Sequence, residues 1–84
     1  MYVEFFGVPR ERAGVSEMEV EARSLGQLFG TLSARIPALH QYIRADGLHP
    51  AFVANLNGDR FVADPATPLA PGDHVLILSA DAGG

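Results

Sequence analysis

The sequence predicts an α+β domain in which a small mixed sheet packs against one main helix. Three features of the chain indicate this class. First, segments rich in β-branched and aromatic residues are separated by glycine and proline turns. Second, one segment between them repeats its apolar side chains at helical spacing. Third, the final strand segment is apolar at every position from Val75 to Leu78. A sheet wrapped over one helix is the compact way to bury a single apolar stripe.

The composition is that of one small globular domain. The chain has 84 residues, of which 48% are hydrophobic and 19% charged, enough for a single core. The absence of cysteine excludes disulfides, thiolate metal sites and a cysteine nucleophile. The histidines His40, His49 and His74 show no ligand spacing, so we expect no metal site and no bound cofactor.

The charge pattern argues against nucleic acid and membrane partners. The chain has ten acidic and six basic residues, all six of them arginine, and a net charge of −4. Without a basic patch, nucleic-acid binding is not expected, whereas a basic protein partner would suit the surface. The sequence contains no apolar run long enough to span a bilayer and no signal-peptide pattern, which predicts a cytoplasmic protein.

The first third of the chain predicts two antiparallel strands. Residues 2–7 are rich in aromatic and β-branched side chains, with Val3 and Phe5 on one face of the strand. Residues 16–22 alternate almost perfectly, placing apolar side chains toward the core and three glutamates toward water. Residues 8–15, which contain proline and glycine, are interpreted as a connecting loop.

A capping box predicts where the main helix begins. Ser24 is followed three residues later by Gln27, so the serine oxygen and the glutamine amide satisfy backbone amides left open at a helix start. The apolar residues that follow share one helical face: Leu25, Leu28, Phe29, Leu32 and Ile36. Gly26 and Gly30 each cost about 1 kcal/mol relative to alanine, so the helix depends on packing against the sheet. Pro37 is expected to end it.

A hairpin is predicted after the helix. Residues 38–45 carry enough apolar side chains for a short second helix, and residues 51–56 are interpreted as a strand. Asn57-Gly58 is a strong hairpin signal because both positions tolerate positive φ. A short strand over residues 60–63 follows it.

The last strand completes the predicted fold. Residues 64–72 hold three of the six prolines and form a turn-rich loop, and a tight turn launches the final strand over residues 74–78. If the first and last strands pair in parallel at the centre, the result is the β-grasp fold of ubiquitin, with four to five strands on one main helix. We therefore expect a folded domain over residues 1–78 and a flexible tail over residues 79–84.

The tail ends in Gly83-Gly84, which neither a helix nor a sheet favours because glycine loses the most backbone entropy on ordering. Two terminal glycines form a thin arm that fits a channel too narrow for any Cβ, and the group at its tip is a carboxylate. Taken alone, the dipeptide is more typical of a frayed terminus than of a functional arm.

These motifs together resemble the MoaD/ThiS sulfur carriers, most closely the small subunit of molybdopterin synthase. Phe5-Phe6-Gly7, followed by Arg10-Glu11 and Gly14, is similar to the opening strand and R-E-x-x-G loop of that family. The segment over residues 68–75 is similar to its P-L-x-x-G-D-x-V turn, and the two final glycines match its terminus. Two departures concern the pathway. Ser79-Ala80-Asp81 stands where that small subunit carries two prolines and a valine, and the thiamine carriers lack much of the segment over residues 38–50.

The resemblance implies a chemistry for the Gly84 carboxylate. A partner of the ubiquitin-activating type (MoeB/ThiF-like) would use ATP and magnesium to adenylate it, and a sulfurtransferase or cysteine desulfurase would supply the sulfur that makes a thiocarboxylate. In the molybdopterin branch, Asp81, Ala82 and Gly83 would enter a large catalytic subunit (MoaE-like), in a heterotetramer. The carrier would be no enzyme on its own, and the sequence leaves the sulfur acceptor open.

The docking surface is predicted by the strand alternation. With Val75 and Ile77 inward, Phe6, Leu76 and Leu78 emerge on the other face of the sheet, beside the tail. Exposed apolar residues there predict a partner interface, unless an overlying loop covers them, and Arg60 is expected to border it.

Two other classes of function remain open at this point. One is a protein modifier in which Gly84 forms an isopeptide bond to a lysine of another protein. The other is a passive β-grasp binding module in which the glycines have no role. A stand-alone enzyme is disfavoured, because no histidine–carboxylate–nucleophile constellation is visible in the sequence.

Overall fold

A computed structural model describes residues 1–83, which fold around a five-stranded mixed sheet and one long helix. The elements in chain order are β1 (Tyr2–Phe6), α1 (Val8–Ala13), β2 (Glu17–Glu19), α2 (Leu25–Arg35), a 3-10 turn (Pro37–Leu39), β3 (Ile43–Arg44), β4 (Gly47–Leu48), β5 (Phe52–Leu56), β6 (Arg60–Val62), β7 (His74–Ser79) and α3 (Ala80–Gly83). The sheet has the strand order β2-β1-β7-β5-β6, and β3 with β4 forms a separate hairpin. This arrangement confirms the predicted α+β, β-grasp class.

The last strand lies at the centre of the sheet. β7 pairs in parallel with β1 and antiparallel with β5. The register places Val3 opposite Val75 and Phe5 opposite Ile77, and all four side chains are buried. The predicted inward face of both strands is therefore confirmed.

Helix α2 covers this inward face. Ser24 Oγ accepts a hydrogen bond from the Gln27 backbone N–H at 3.2 Å, as in a capping box. The return bond differs by one residue, since Gln27 Oε1 accepts from the Arg23 N–H at 2.7 Å rather than from the N–H of Ser24. The helix runs to Arg35, before Pro37. Its buried stripe consists of Leu25, Leu28, Phe29 and Leu32. Packing of that stripe on the sheet outweighs the low helix propensity of the two glycines.

The interpretation of residues 8–15 as a loop is wrong for its first part, where the chain forms α1. Gly7 begins the helix with φ 72°, Pro9 lies in its first turn, and Gly14 ends it with φ 77° and an N–H bonded to the Arg10 carbonyl at 3.0 Å. Proline early and glycine just after the end are signals of a short helix rather than of a loop. The guanidinium of Arg12 lies 5.6 Å from the ring centroid of Tyr42, joining α1 to the segment after α2.

The predicted second helix over residues 38–45 is also wrong. A 3-10 turn there is followed by the β3–β4 hairpin, in which Ile43 pairs with Leu48 and Arg44 with Gly47. Leu39 and Ile43 are both fully buried. Residues four positions apart are buried equally well by a helix or by a turn and a strand, so the apolar spacing did not distinguish them.

The remaining turns agree with the predictions. Asn57 and Gly58 have φ angles of 58° and 68° between β5 and β6. The Asn57 amide Nδ2 donates to Asp73 Oδ1 at 3.0 Å, and the Ala70 N–H donates to Asp73 Oδ2 at 2.8 Å. These bonds tie the hairpin to the tight turn before β7. Backbone donation from Ala70, followed by the Asn57 side chain, lowers the pKa of Asp73 below its ordinary value.

Candidate functional site: the end of β7 and the outer face of the sheet

The predicted domain boundary after residue 78 falls inside β7, which continues through Ser79. Ser79 is buried, and its Oγ accepts a hydrogen bond from the Val8 N–H at 3.2 Å. The Ala80 N–H donates to the Ala51 carbonyl at 2.8 Å. The chain is thus held on both sides where it leaves the sheet, by the start of α1 and by the residue before β5.

Gly7 is part of this anchor. Its φ of 72° is unfavourable for residues with a Cβ, and a Cβ there would lie 3.1 Å from Ser79 Oγ. Glycine at the end of β1 therefore lets the β1–α1 corner approach the serine closely. We call Gly7, Ser79 and the Ala80–Ala51 bond the tail anchor.

The predicted tail residues come directly after the anchor. Ala80–Gly83 form one helical turn, and the side chain of Asp81 is exposed. Gly84, the predicted carrier of the reactive carboxylate, lies outside the described residues. Its role, and the flexibility of the segment that bears it, stay predictions.

The sheet face turned away from α2, here called the outer face, contains three of the four residues predicted for the interface, Phe6, Leu76 and Leu78. The register gives one row across the strands from Glu17 through Glu4, Leu76 and Asn55 to Phe61. A neighbouring row nearer the tail holds Phe6, Leu78 and Val53.

The predicted interface residues differ in exposure. The exposed fraction is 55% for Phe6 but only 8% for Leu78, which lies in the central strand between Phe6 and Val53. Leu76 is half-buried. Leu78 was thus expected to be exposed, and although the register places it on the outer face it is almost fully buried there.

Arg60 does not lie on this face. Arg60 pairs with Leu56, which pairs in turn with Val75 on the inner face of the sheet. The next residue in β6, Phe61, therefore lies on the outer face. Phe61 is 57% exposed, and the sequence patterns did not single it out. A two-residue turn at Asn57-Gly58 would place Arg60 opposite Asn55, whereas the observed loop is one residue longer and places Phe61 there. We call Phe6, Leu76 and Phe61 the apolar patch.

The opposite corner of the outer face is acidic. Glu17 lies directly across from Glu4, and Glu19 from Tyr2. We call Glu4, Glu17 and Glu19 the acidic corner. His74 Nε2 lies 3.1 Å from Glu4 Oε1. The Tyr2 hydroxyl donates to Glu17 Oε2, and this bond, with the charges of the neighbouring glutamates, raises the pKa of Tyr2 to about 12.

Within residues 1–83, no group of three or more histidine, aspartate or glutamate side chains is arranged to hold a metal ion. None of the helices found in that range is long and apolar enough to cross a membrane.

A five-stranded mixed sheet with parallel first and last strands, one main helix and a chain end leaving the central strand defines a ubiquitin-like β-grasp protein. The sequence matches the ThiS family over residues 3–84. The chain therefore belongs to the ThiS family, a group of ubiquitin-like sulfur carriers that are generally non-catalytic. No curated protein matches it.

Solved structures agree with this assignment. A putative molybdopterin converting factor, subunit 1, from Pyrococcus furiosus is 26% identical, with a TM-score of 0.75 and 93% of each chain covered. Small archaeal modifier protein 1 from Methanosarcina acetivorans is 21% identical, with a TM-score of 0.77, covering 99% of this chain and 94% of that one. A chain of the BexX/CysO complex of Amycolatopsis orientalis is 20% identical, with a TM-score of 0.77, covering 99% of this chain and 98% of that one. The last two likenesses show the fold alone.

Proposed function

We propose that the chain carries sulfur as a thiocarboxylate on Gly84. The observation that carries this proposal is the tail anchor, combined with a family match that runs to residue 84. The anchor fixes the point of departure at Ala80. Asp81, Ala82 and the two glycines come after it, so the arm is thin and its tip is a carboxylate.

A free carboxylate needs activation before sulfur can replace its oxygen. The Gly84 carboxylate attacks the α-phosphorus of magnesium-bound ATP, which forms an acyl-adenylate and releases pyrophosphate. A persulfide sulfur of a donor protein then attacks the acyl carbon and releases AMP. A thiol cleaves the resulting acyl disulfide, leaving the thiocarboxylate on Gly84 and a disulfide on the donor. All of these steps take place in partner active sites, and this chain supplies the arm and the docking surface.

For the pathway, we propose that the chain is the small subunit of a molybdopterin synthase. The likeness to the Pyrococcus furiosus protein and the presence of the segment over residues 38–50 support this assignment. The tail, including Asp81, Ala82 and Gly83, then enters a large catalytic subunit, in a heterotetramer. There the sulfur is transferred to a pterin precursor.

Intact-protein mass spectrometry tests the carrier function. The chain is incubated with ATP, magnesium, a persulfide donor and the activating enzyme encoded in the same genome. We expect a species heavier by the exchange of one oxygen for one sulfur, located on the terminal fragment that ends in Gly84. A variant lacking Gly84 is the control and should stay unmodified. Recovery of the carboxylate alone would overturn the proposal, and isopeptide adducts on other proteins without a thiocarboxylate would indicate a modifier instead.

A further inference from the structure

We propose that Asp81 is a specificity-determining residue of the tail, whose carboxylate pairs with an arginine or lysine inside the channel of the adenylating enzyme. This inference rests on the proposed function and names the chemistry by which its first step recognises this chain. Because adenylation precedes every transfer of sulfur from the tail, the inference holds for any sulfur acceptor.

Asp81 is the only residue beyond the tail anchor whose side chain is larger than a methyl group. Ser79 is buried and bonded to the Val8 N–H, and the Ala80 N–H is bonded to the Ala51 carbonyl. After these fixed points the sequence offers a carboxylate at Asp81, a methyl group at the next residue and no side chain at the last two. Recognition of the tail by its side chains therefore depends on Asp81.

The carboxylate of Asp81 is available to a partner. Its side chain is exposed, and the one ion pair found within residues 1–83 joins His74 to Glu4 instead. Asp81 does lie in the first turn of α3, where a negative charge is favourable. A helix of one turn is marginal in water, however, so this placement adds little to the stability of the fold.

The charge of Asp81 lies near the reacting group but not at it. Asp81 precedes Gly84 by three residues, which is roughly 10 Å in an extended chain. The tail becomes thinnest only at its two glycines, so a channel can be wide enough for an aspartate at one depth and narrower beyond it. We therefore assign Asp81 a role in binding and not in the chemical step.

A carboxylate enclosed in a channel requires a cationic partner. The channel removes water from Asp81, and burial of an unpaired carboxylate is strongly unfavourable. An arginine or lysine of the enzyme offsets this penalty, and arginine matches a carboxylate through two parallel hydrogen bonds. An enzyme whose channel is apolar at this depth leaves Asp81 unpaired and rejects the chain.

The test compares variants of the full chain in adenylate-dependent pyrophosphate exchange and in calorimetric titration of the enzyme without ATP. Asp81→Asn removes the charge and keeps the size of the side chain, whereas Asp81→Glu keeps the charge. Asp46→Asn is the matched control, because Asp46 is exposed and follows Ala45, which lies beside Gly26 of α2. Urea unfolding of each variant measures its stability.

We expect Asp81→Asn to raise Kd and KM roughly a hundredfold with kcat unchanged, because it leaves the cation of the enzyme unpaired in the channel. The loss should persist from about 0.05 to about 0.5 M salt, since an enclosed pair is screened much less than an exposed one. Asp81→Glu should bind more tightly than Asp81→Asn, and Asp46→Asn should bind like the wild type. The unfolding midpoints of all variants should agree.

A double-mutant cycle identifies the cation. The arginines and lysines of the enzyme are replaced by alanine one at a time, and each enzyme variant is titrated with the wild type and with Asp81→Asn. For the residue that pairs with Asp81, the two substitutions together should weaken binding by much less than the product of their separate effects. Independent effects for every cation would contradict the pairing.

Wild-type Kd in Asp81→Asn would overturn the inference and leave the carrier function intact. So would equal losses in Asp81→Asn and Asp81→Glu, a loss that disappears at high salt, or a lower kcat at unchanged KM. If the wild type binds but is not adenylated, the proposed function fails, and the Kd values still decide the role of Asp81. If the wild type neither binds nor is adenylated, both fail.

Discussion

Gly26 and Gly30 lie one turn apart on α2, yet they stand in different surroundings. A Cβ on Gly26 would lie 2.9 Å from the Ala45 carbonyl oxygen and 3.0 Å from Pro65 Cβ, whereas a Cβ on Gly30 would lie 3.6 Å from its nearest neighbour. The helical pattern in the sequence showed only that both glycines weaken the helix. The close approach at Gly26 involves a hairpin and a loop distant in the chain, so helical spacing could not reveal it.

The two glycines should therefore respond oppositely to alanine. Gly26→Ala must push backbone atoms apart and should lower the free energy of unfolding by about 1–3 kcal/mol. Gly30→Ala adds only an ordinary van der Waals contact and should raise it by up to about 1 kcal/mol through helix propensity. Urea unfolding followed by circular dichroism measures both changes. Equal effects of the same sign would contradict the geometry.

The raised pKa of Tyr2 allows the acidic corner to be detected in alkaline solution. The pKa of Tyr2 is raised to about 12 by its hydrogen bond to Glu17 and by the charges of Glu4 and Glu19. Because the folded pKa exceeds the ordinary value of 10.0, the contribution of Tyr2 to stability is complete below pH 10 and is lost as the pH rises toward 12.

Ultraviolet titration of the phenolate measures this shift, and Tyr2→Phe identifies the step that belongs to Tyr2. Glu17→Gln replaces the charged acceptor by a neutral one and should lower the Tyr2 pKa toward 10. A midpoint near 10 in the wild type would show that the Tyr2–Glu17 bond does not persist in solution.

At the scale of elements, the pairing of strands was more predictable than the segments between them. The alternation of β1 and β2, the capping box of α2 and the Asn57-Gly58 hairpin each have a local cause, and each was found. Helix α1 was missed although Pro9 and Gly14 mark its two ends, because proline and glycine are also typical of a loop, and the positive φ of Gly7, which lies close to Ser79, is not visible in the sequence. The residues of the outer face were only partly predicted. Phe6 is placed by alternation alone, whereas the placing of Phe61 and Arg60 depends on the length of a hairpin loop.

The hydrogen bonds of the tail anchor predict that the Ser79 hydroxyl stabilises the corner between β1 and α1. Ser79→Ala removes the acceptor of the Val8 N–H in a mostly buried position and should cost about 1 kcal/mol of stability. Hydrogen exchange of the Val8 amide should accelerate more than that of other amides in α1, because the opening is local. Ser33→Ala on α2 is the control and should be neutral or slightly stabilising. Unchanged exchange at Val8 would show that the serine does not hold the β1–α1 corner.

At the scale of the whole molecule, the sequence predicted which strand lies at the centre of the sheet. β7 is apolar at four consecutive positions, which indicated a central strand, and it borders both β1 and β5. The central strand is also the one that leads to the tail. Stability and function therefore separate at Ser79, since the chain before it is packed into the domain and the proposed chemistry belongs to the residues after it.

Two truncations test this separation. A chain of residues 1–79 keeps Gly7 and Ser79 of the tail anchor but loses its Ala80–Ala51 hydrogen bond. Because this is one hydrogen bond, the unfolding free energy should stay within about 1 kcal/mol of that of the full chain. A chain of residues 1–73 lacks β7 and leaves β1 and β5 without a partner between them. It should lose the cooperative transition altogether, because Val75 and Ile77 of the core are absent and two strand edges are exposed. Urea unfolding by circular dichroism distinguishes the two, and a cooperative transition in the shorter chain would show that β7 is not the strand on which the fold depends.

Loss of thiocarboxylate formation in the 1–79 chain, at unchanged stability, would assign the chemistry to the last five residues.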